Sequence, residues 1–308
     1  MPERAVAAID CGTNSTRLLV ADLDGRPLER LMRITRLGKG VDQTRTLDPQ
    51  AVQRTVAVLR EYREVMDRHG VGPVRMTATS AARDASNRQE FFSAATEAAG
   101  AAPELLTGDE EGQLSFAGAT AQLPAGGQYL VADIGGGSTE LAVGPGQGRP
   151  VAVRSLDVGC VRLTERFLHA DPPEPEEIAD ATAEVDRLLA AASRDQPAFG
   201  QGRQLIGLAG TVAALAALDQ GLVGYDRDAL HHYRLTREAV DGLLAALASE
   251  PVAARVARPS MEKARADVIV GGAIVLSALL RHFQMGECLT SEADILDGLV
   301  MSLLRPAT

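Results

Sequence analysis

The chain has no tryptophan, and all aromatic residues together make up 3% of it, so its core has to be built from Ala, Leu, Val and Ile. Lysine is nearly absent too, with Lys39 and Lys263 as its only examples. Three cysteines, Cys11, Cys160 and Cys288, stand far apart with no C-x-x-C pair. That spacing gives neither a zinc site nor a disulfide framework and suits a reducing cytosol. Positive charge is the scarcer sign: 31 Lys and Arg against 41 Asp and Glu, a net charge of -10. An acidic chain is a poor nonspecific nucleic-acid binder, which needs a basic face. Long hydrophobic runs are also missing. The longest, Val268 to Leu280, is broken by Gly271-Gly272 and falls short of the ~20 residues that span a bilayer. It reads as a buried helix. The N-terminus lacks the charged-then-apolar pattern of a signal peptide. The expectation is a cytoplasmic protein without nucleic-acid or membrane partners.

With 308 residues, 45% hydrophobic and 23% charged, the composition is that of a globular chain with a proper core, long enough for two domains. The most informative feature is an internal echo. The chain reads Val6-Ala-Ala-Ile-Asp10-Cys-Gly12-Thr13-Asn14-Ser15-Thr16-Arg17 near its start and Leu130-Val-Ala-Asp133-Ile-Gly135-Gly136-Gly137-Ser138-Thr139-Glu140 in the middle. Asp10 aligns with Asp133, Gly12 with Gly135, Ser15 with Ser138, Thr16 with Thr139, and Arg17 with Glu140. In both copies an apolar strand ends in Asp, turns through small residues and leaves as another apolar strand. Glycine lets the backbone approach a ligand closely. Successive N–H groups in such a turn form a nest for phosphate oxygens, and the hydroxyls add donors. An Asp at the strand end suits Mg²⁺, which takes one or two carboxylates and completes its shell with phosphate and water.

The paired hairpins resemble the two phosphate loops of the superfamily that contains acetate kinase, sugar kinases, heat-shock chaperones and actin. The finer wording, Asp-Cys-Gly-Thr-Asn-Ser-Thr-Arg and Asp-Ile-Gly-Gly-Gly-Ser-Thr-Glu, resembles the exopolyphosphatases and guanosine pentaphosphate phosphatases. The resemblance implies an α/β fold of two actin-like (ribonuclease H-like) domains with a cleft between them. The expected division is 1–124 and 125–308, with the last helix returning to the first domain.

Further segments fit the same family. Ala78 to Asn87 matches its Ala-Thr-Ser-x-x-Arg-Asp-x-x-Asn motif, which implies that Arg83 faces substrate phosphate. Arg83 is placed in the first turn of a helix, against the helix-dipole preference. In Thr107-Gly-Asp109-Glu110-Glu111, Thr107 and Glu110 fit a capping box. That occupies Glu110 and leaves Glu111, which by the family's Gly-x-Glu-Glu motif is the base for the attacking water, with Glu110 as the fallback. Val158-Gly-Cys-Val-Arg162-Leu-Thr resembles a family segment that opens a helix. Gln204 to Thr211 is a strand running into a glycine turn and a helix. In the superfamily this third loop, with Gly210 and Thr211, borders the nucleotide pocket; close strand-helix packing explains the glycines equally well. Arg33, Arg36 and Lys39 are either a basic lip or a solvated turn. Asp171 to Glu177 reads as a solvated loop. His231-His232 suggests a metal, but adjacent residues on a strand point to opposite faces, which favours a structural reading. Asp297 stands where longer family members carry Arg, so a substrate contact there is in doubt.

The mechanism implied is water attack on the terminal phosphorus of inorganic polyphosphate. Gly12 to Thr16 and Gly135 to Ser138 bind phosphate oxygens, Arg17 and Arg83 neutralise charge, and Asp10, Asp133 and Glu140 organise Mg²⁺ or another hard divalent ion. A homodimer is expected, and so is a preference for short chains, since the family's extra C-terminal domain has no counterpart before Thr308. The alternatives are hydrolysis of guanosine pentaphosphate at the same site, a sugar or acetate kinase, and a non-catalytic sensor or actin-like assembly protein. Glu111 and Glu140 stand against the sensor.

Overall fold

The computed structural model describes residues 4–304. The chain divides into two compact units: one runs to Gly118 and takes in the segment from Ile295 onward, and the other is Ala119–Asp294. Each is built on a mixed sheet, and the two sheets share a plan.

In the first unit, β1 (Ala5–Cys11), β2 (Ser15–Asp22) and β3 (Pro27–Ile34) form an antiparallel meander. Then come α1 (Val41–Thr44), α2 (Pro49–His69), β4 (Val71–Ala78), α3 (Ser80–Asp84), α4 (Arg88–Ala99), β5 (Pro103–Leu105) and α5 (Gly108–Thr120). The strand order is β3-β2-β1-β4-β5, with β4 parallel to β1 and β5 parallel to β4. Every residue of β1 is buried, as a central strand with both faces covered requires. Its alternation sorts the two faces. Ala5, Ala7 and Ile9 pack with Leu59, Tyr62 and Met66 of α2 and Phe91 of α4. Val6 and Ala8 pack with Leu296, Leu299 and Val300 of the last helix, Ile295–Leu304. The ends of α2 follow from local chemistry. The Asp48 side chain accepts from the Ala51 N–H at 2.9 Å, Pro49 occupies the first turn, and Gly70 closes the helix at φ 62°. Asp297 on the last helix pairs with Arg30 of β3 at 2.5 Å, which gives this acid a structural partner within the unit.

In the second unit, β6 (Gln128–Ile134), β7 (Thr139–Pro145) and β8 (Ala152–Leu156) repeat the meander. They are followed by α6 (Cys160–Phe167), α7 (Pro175–Asp195), β9 (Gln204–Leu208), α8 (Ala209–Asp219), α9 (Arg227–Leu230), β10 (Arg234–Thr236), α10 (Arg237–Ala248), α11 (Val252–Val256), α12 (Ile269–His282) and β11 (Glu287–Thr290). The order is β10-β11-β9-β6-β7-β8, with β9 parallel to β6 and β11 parallel to β9. Strands β8-β7-β6-β9-β11 thus repeat β3-β2-β1-β4-β5. Both units are α/β. The apolar run ending at Leu280 is α12, buried from Ile269 to Leu280. Its glycines permit close approach: a Cβ on Gly271 would sit 2.6 Å from Thr164 Oγ1, and one on Gly272 would overlap Thr211. No described helix is long and apolar enough to cross a membrane.

Three local expectations change. Asp171 to Glu177 is not all loop: Pro175 starts α7, and Glu174 and Glu177 form a capping box at its head. His231 and His232 follow α9 rather than lying on a strand. His232 takes a left-handed φ of 64°, which turns the rings into a stack at 3.8 Å instead of to opposite faces. Helix α3 is five residues long, so Arg83 belongs to its last turn, where a cation suits the dipole.

Candidate active site

The first loop joins β1 to β2. It is closed by a hydrogen bond from the Gly12 N–H to the Ser15 carbonyl at 3.0 Å. The second loop joins β6 to β7 and is closed by the equivalent bond, Gly135 N–H to the Ser138 carbonyl, also 3.0 Å. In each copy the loop glycine has that carbonyl against its missing side chain, at 3.2 and 3.0 Å from where a Cβ would stand.

What lies beside each loop differs. In the antiparallel register Asp10 faces Arg17, and Asp133 faces Glu140. Directly opposed residues of an antiparallel pair share a face. In the first unit the pair is an ion pair, Arg17 Nη2 to Asp10 Oδ2 at 2.7 Å. In the second unit the same positions hold two buried carboxylates. Ser155 continues the row on β8, directly across from Glu140, and its hydroxyl donates to Glu140 Oε1 at 2.7 Å. Where the first copy has Arg17 the second has Glu140, so the position that forms an ion pair with Asp10 in one unit holds a second carboxylate beside Asp133 in the other.

The first loop also holds donors without acceptors. Thr13 and Asn14 are buried, and neither Thr13 Oγ1 nor Asn14 Nδ2 has a hydrogen-bond partner. An unmade buried hydrogen bond costs about 1–3 kcal/mol, so these atoms suit an anionic ligand. Thr16 is wholly buried and hydrogen-bonds Thr35 at 2.9 Å.

In the same unit, the head of α5 separates the two neighbouring glutamates. Glu110 is spent on the helix end: its Oε2 accepts from the Thr107 N–H and hydroxyl, both at 2.8 Å, and the Thr107 hydroxyl oxygen accepts from the Glu110 N–H at 3.2 Å. The Thr107 backbone bond, followed by its hydroxyl bond, holds the Glu110 carboxyl below its ordinary range. Glu111 points the other way and is 9% exposed. Its Oε2 accepts from Arg83 Nη1 at 2.6 Å, and the same nitrogen donates to the Leu106 carbonyl at 3.1 Å.

The third loop is tightly packed. Thr211 is 1% exposed against Gly272 of α12. The guanidinium of Arg265, itself buried, fills the space where a Gly210 Cβ would stand. The basic turn is partly committed, since Arg33 pairs with Glu61 at 2.5 Å. All three cysteines are buried, and burial pushes the Cys288 thiol up to about 12 and raises Cys11 and Cys160 as well. None is a nucleophile at neutral pH.

Among the described residues, no group of three or more His, Cys, Asp and Glu side chains is placed to hold a metal. Mg²⁺ prefers sparse ligation, one or two carboxylates completed by phosphate and water. The donor set of Asp133 and Glu140 fits this. Asp10 fits less well, because one of its oxygens is engaged by Arg17.

Residue-by-residue reading of the sequence missed Ser155 and Arg265. A serine on an edge strand and a buried arginine carry no local signature. Only for Ser155 did a signal exist: the hairpin register places it opposite Glu140.

Comparison with known proteins converges. The model of the Ppx/GppA phosphatase family matches residues 20–306. Exopolyphosphatase 2 of Mycobacterium tuberculosis is 43% identical, over 97% of this chain and 98% of its own. The crystal structure of an exopolyphosphatase-like protein superposes with a TM-score of 0.92 at 35% identity, covering 98% of this chain and 99% of that one. The Aquifex aeolicus PPX-GPPA enzyme gives a TM-score of 0.81 at 32% identity, covering 98% and 100%.

Proposed function

The chain belongs to the Ppx/GppA phosphatase family, and on that premise we propose that it is an exopolyphosphatase that releases terminal orthophosphate from inorganic polyphosphate. The observation that carries the reading is the repeated loop, closed in both copies by the same glycine-to-serine backbone bond. In the first copy it also holds buried, unsatisfied donors at Thr13 and Asn14. The name of the Mycobacterium tuberculosis relative agrees with it.

In this reaction a water oxygen forms a bond to the terminal phosphorus, the anhydride P–O bond breaks, and the shortened polyphosphate leaves. The transferring phosphoryl needs positioning and charge stabilisation more than covalent help. Loop N–H groups and hydroxyls supply the positioning. Glu111 orients the water and takes its proton, a role worth roughly 10²–10⁴-fold. Arg83, bonded to Glu111 at 2.6 Å, fixes the direction of that carboxylate. Glu110 has no part in the chemistry, because the cap of α5 occupies it.

Mg²⁺, when bound, supplies neutralising charge to the phosphate oxygens. Asp133 and Glu140 would hold it. Like charges directly opposed on a sheet destabilise it, and a divalent cation offsets that cost. The protein works in the cytoplasm, as a homodimer.

The test is phosphate release from short polyphosphates of defined length with Mg²⁺, run on the wild type, on Glu111→Gln and on Glu140→Gln. Release by the wild type, and its loss in both variants, is the expected result. Full activity in either variant, or release from no polyphosphate at all, contradicts the proposal.

A further inference from the structure

Arg162 lies in a segment whose role the chemistry above leaves unassigned. It is 6% exposed, and its Nε donates to the Gly137 carbonyl at 2.6 Å. The first N–H groups of α6 do the same along the loop. Cys160 N–H donates to the Gly135 carbonyl at 2.9 Å, and Val161 and Arg162 N–H donate to the Gly136 carbonyl at 2.9 and 3.0 Å. Three successive loop carbonyls are therefore drawn toward one helix end. The first N–H groups of a helix lack intrahelical acceptors, and here the loop supplies them.

The consequence follows from peptide geometry. In a planar trans peptide the C=O of one residue and the N–H of the next point in opposite directions. With the carbonyls of Gly135, Gly136 and Gly137 anchored on α6, the N–H groups of Gly136, Gly137 and Ser138 are turned to the other side of the loop. Three consecutive N–H groups aimed one way make an anion nest. Closeness is enforced at Gly159, where a Cβ would stand 2.6 Å from both the Gly135 and the Gly136 carbonyl oxygens.

The first unit uses the same device with different residues. Thr35 and Arg36 N–H donate to the Asn14 carbonyl at 3.1 and 2.9 Å, and Gly38 N–H donates to the Thr13 carbonyl at 2.8 Å. In both units, the segment after the third strand of the meander returns to hold the loop by its carbonyls.

We propose that Arg162, with the N-terminus of α6, is a positioning residue that aims the second loop's N–H groups at phosphate and does not itself touch the substrate. The proposal rests on the loop binding phosphate, as in the preceding section. Because the N–H groups at the start of α6 are spent on carbonyls, that helix end is a scaffold and not itself an anion site.

The experiment titrates the full chain with tripolyphosphate in EDTA, which withholds the divalent ion and stops turnover. Affinity is read by calorimetry at several salt concentrations, and the Gly136, Gly137 and Ser138 amides by ¹H–¹⁵N spectra. The wild type is compared with Arg162→Lys, Arg162→Met and Gly159→Ala. Gly159→Ala leaves every charge in place and keeps the idea testable if an Arg162 variant fails to fold. Expected are movement of the three amides on titration of the wild type and a loss of about tenfold or more in affinity in each folded variant, Lys included. In Gly159→Ala, which leaves every charge in place, the salt dependence should match the wild type. Wild-type amides that do not move overturn the phosphate role of the loop and this proposal with it. Moving wild-type amides with affinities within about twofold in the folded variants overturn this proposal alone, as does full rescue by Lys, because a ligating cation then explains the effect.

Discussion

Two adjacent glutamates at the head of α5 should fail in opposite ways when replaced. Glu110→Ala removes the carboxylate half of the box with Thr107, the N–H and hydroxyl bonds at 2.8 Å, and leaves the returning bond at 3.2 Å, which uses the backbone N–H of residue 110. Loss of a helix cap costs about 0.5–2 kcal/mol. In a chain of this size that lowers Tm by roughly 2–4 °C per kcal/mol, so the drop should be about 1–8 °C with turnover close to wild type. Glu111→Gln keeps an oxygen able to accept from Arg83 at the present 2.6 Å, so its stability cost should stay near ~1–2 kcal/mol. Its turnover should fall by roughly 10²–10⁴-fold with the loss of the base. Scanning fluorimetry and phosphate release on the same preparations read both quantities. The pH dependence adds a check. Glu110 has its pKa lowered by the Thr107 bonds, so its stabilisation is present above the unfolded carboxyl range near ~4.3 and is lost as pH falls through the lowered folded value. Glu110→Gln, which retains a capping oxygen, should flatten Tm at that acid edge and nowhere else. If Glu110→Ala abolished turnover, or Glu111→Gln preserved it, the division of labour between the two would be wrong.

Other outcomes follow from the same structure. Gly298→Ala would drive a methyl group into the Leu114 carbonyl oxygen, with the carbonyl carbon 2.9 Å away. Overpacking of this kind costs about 1–3 kcal/mol, so Tm should fall by several degrees; a Tm within about 1 °C of wild type would mean that the last helix yields freely. His282, bonded to Ser193 at 2.8 Å, has its pKa lowered, chiefly by burial and less by Arg281, with Asp186 acting the other way. Its neutral form is the folded one, so its stabilisation is full above about 6.5 and is lost as pH falls through that value toward the lower folded pKa. His282→Gln should flatten Tm between pH 7 and 5, and an unchanged slope there would assign the dependence elsewhere. Ser155→Ala frees the Glu140 oxygen that its hydroxyl now binds. The Mg²⁺ concentration for half-maximal turnover should rise and Mn²⁺ binding, followed by electron paramagnetic resonance, should weaken, with Thr restoring both; identical metal curves would show that Ser155 does not orient the carboxylate.

What the chain declared by itself was what neighbours in sequence settle. The Thr107–Glu110 box binds backbone three residues away, so composition at fixed spacing suffices to read it. The doubled Asp-x-Gly turn was legible because each copy is one hairpin closed within four residues. The tertiary structure alone decided which groups meet across the fold. It brought Arg83 to Glu111 from 28 positions away, stacked the histidines through one left-handed residue, and set Ser155 beside Glu140. It also carried α6 back beneath the second loop to take its carbonyls. Such contacts depend on where a helix docks and which way a strand pairs. Those choices are made by burial of whole faces, a non-directional force that no short stretch of residues records.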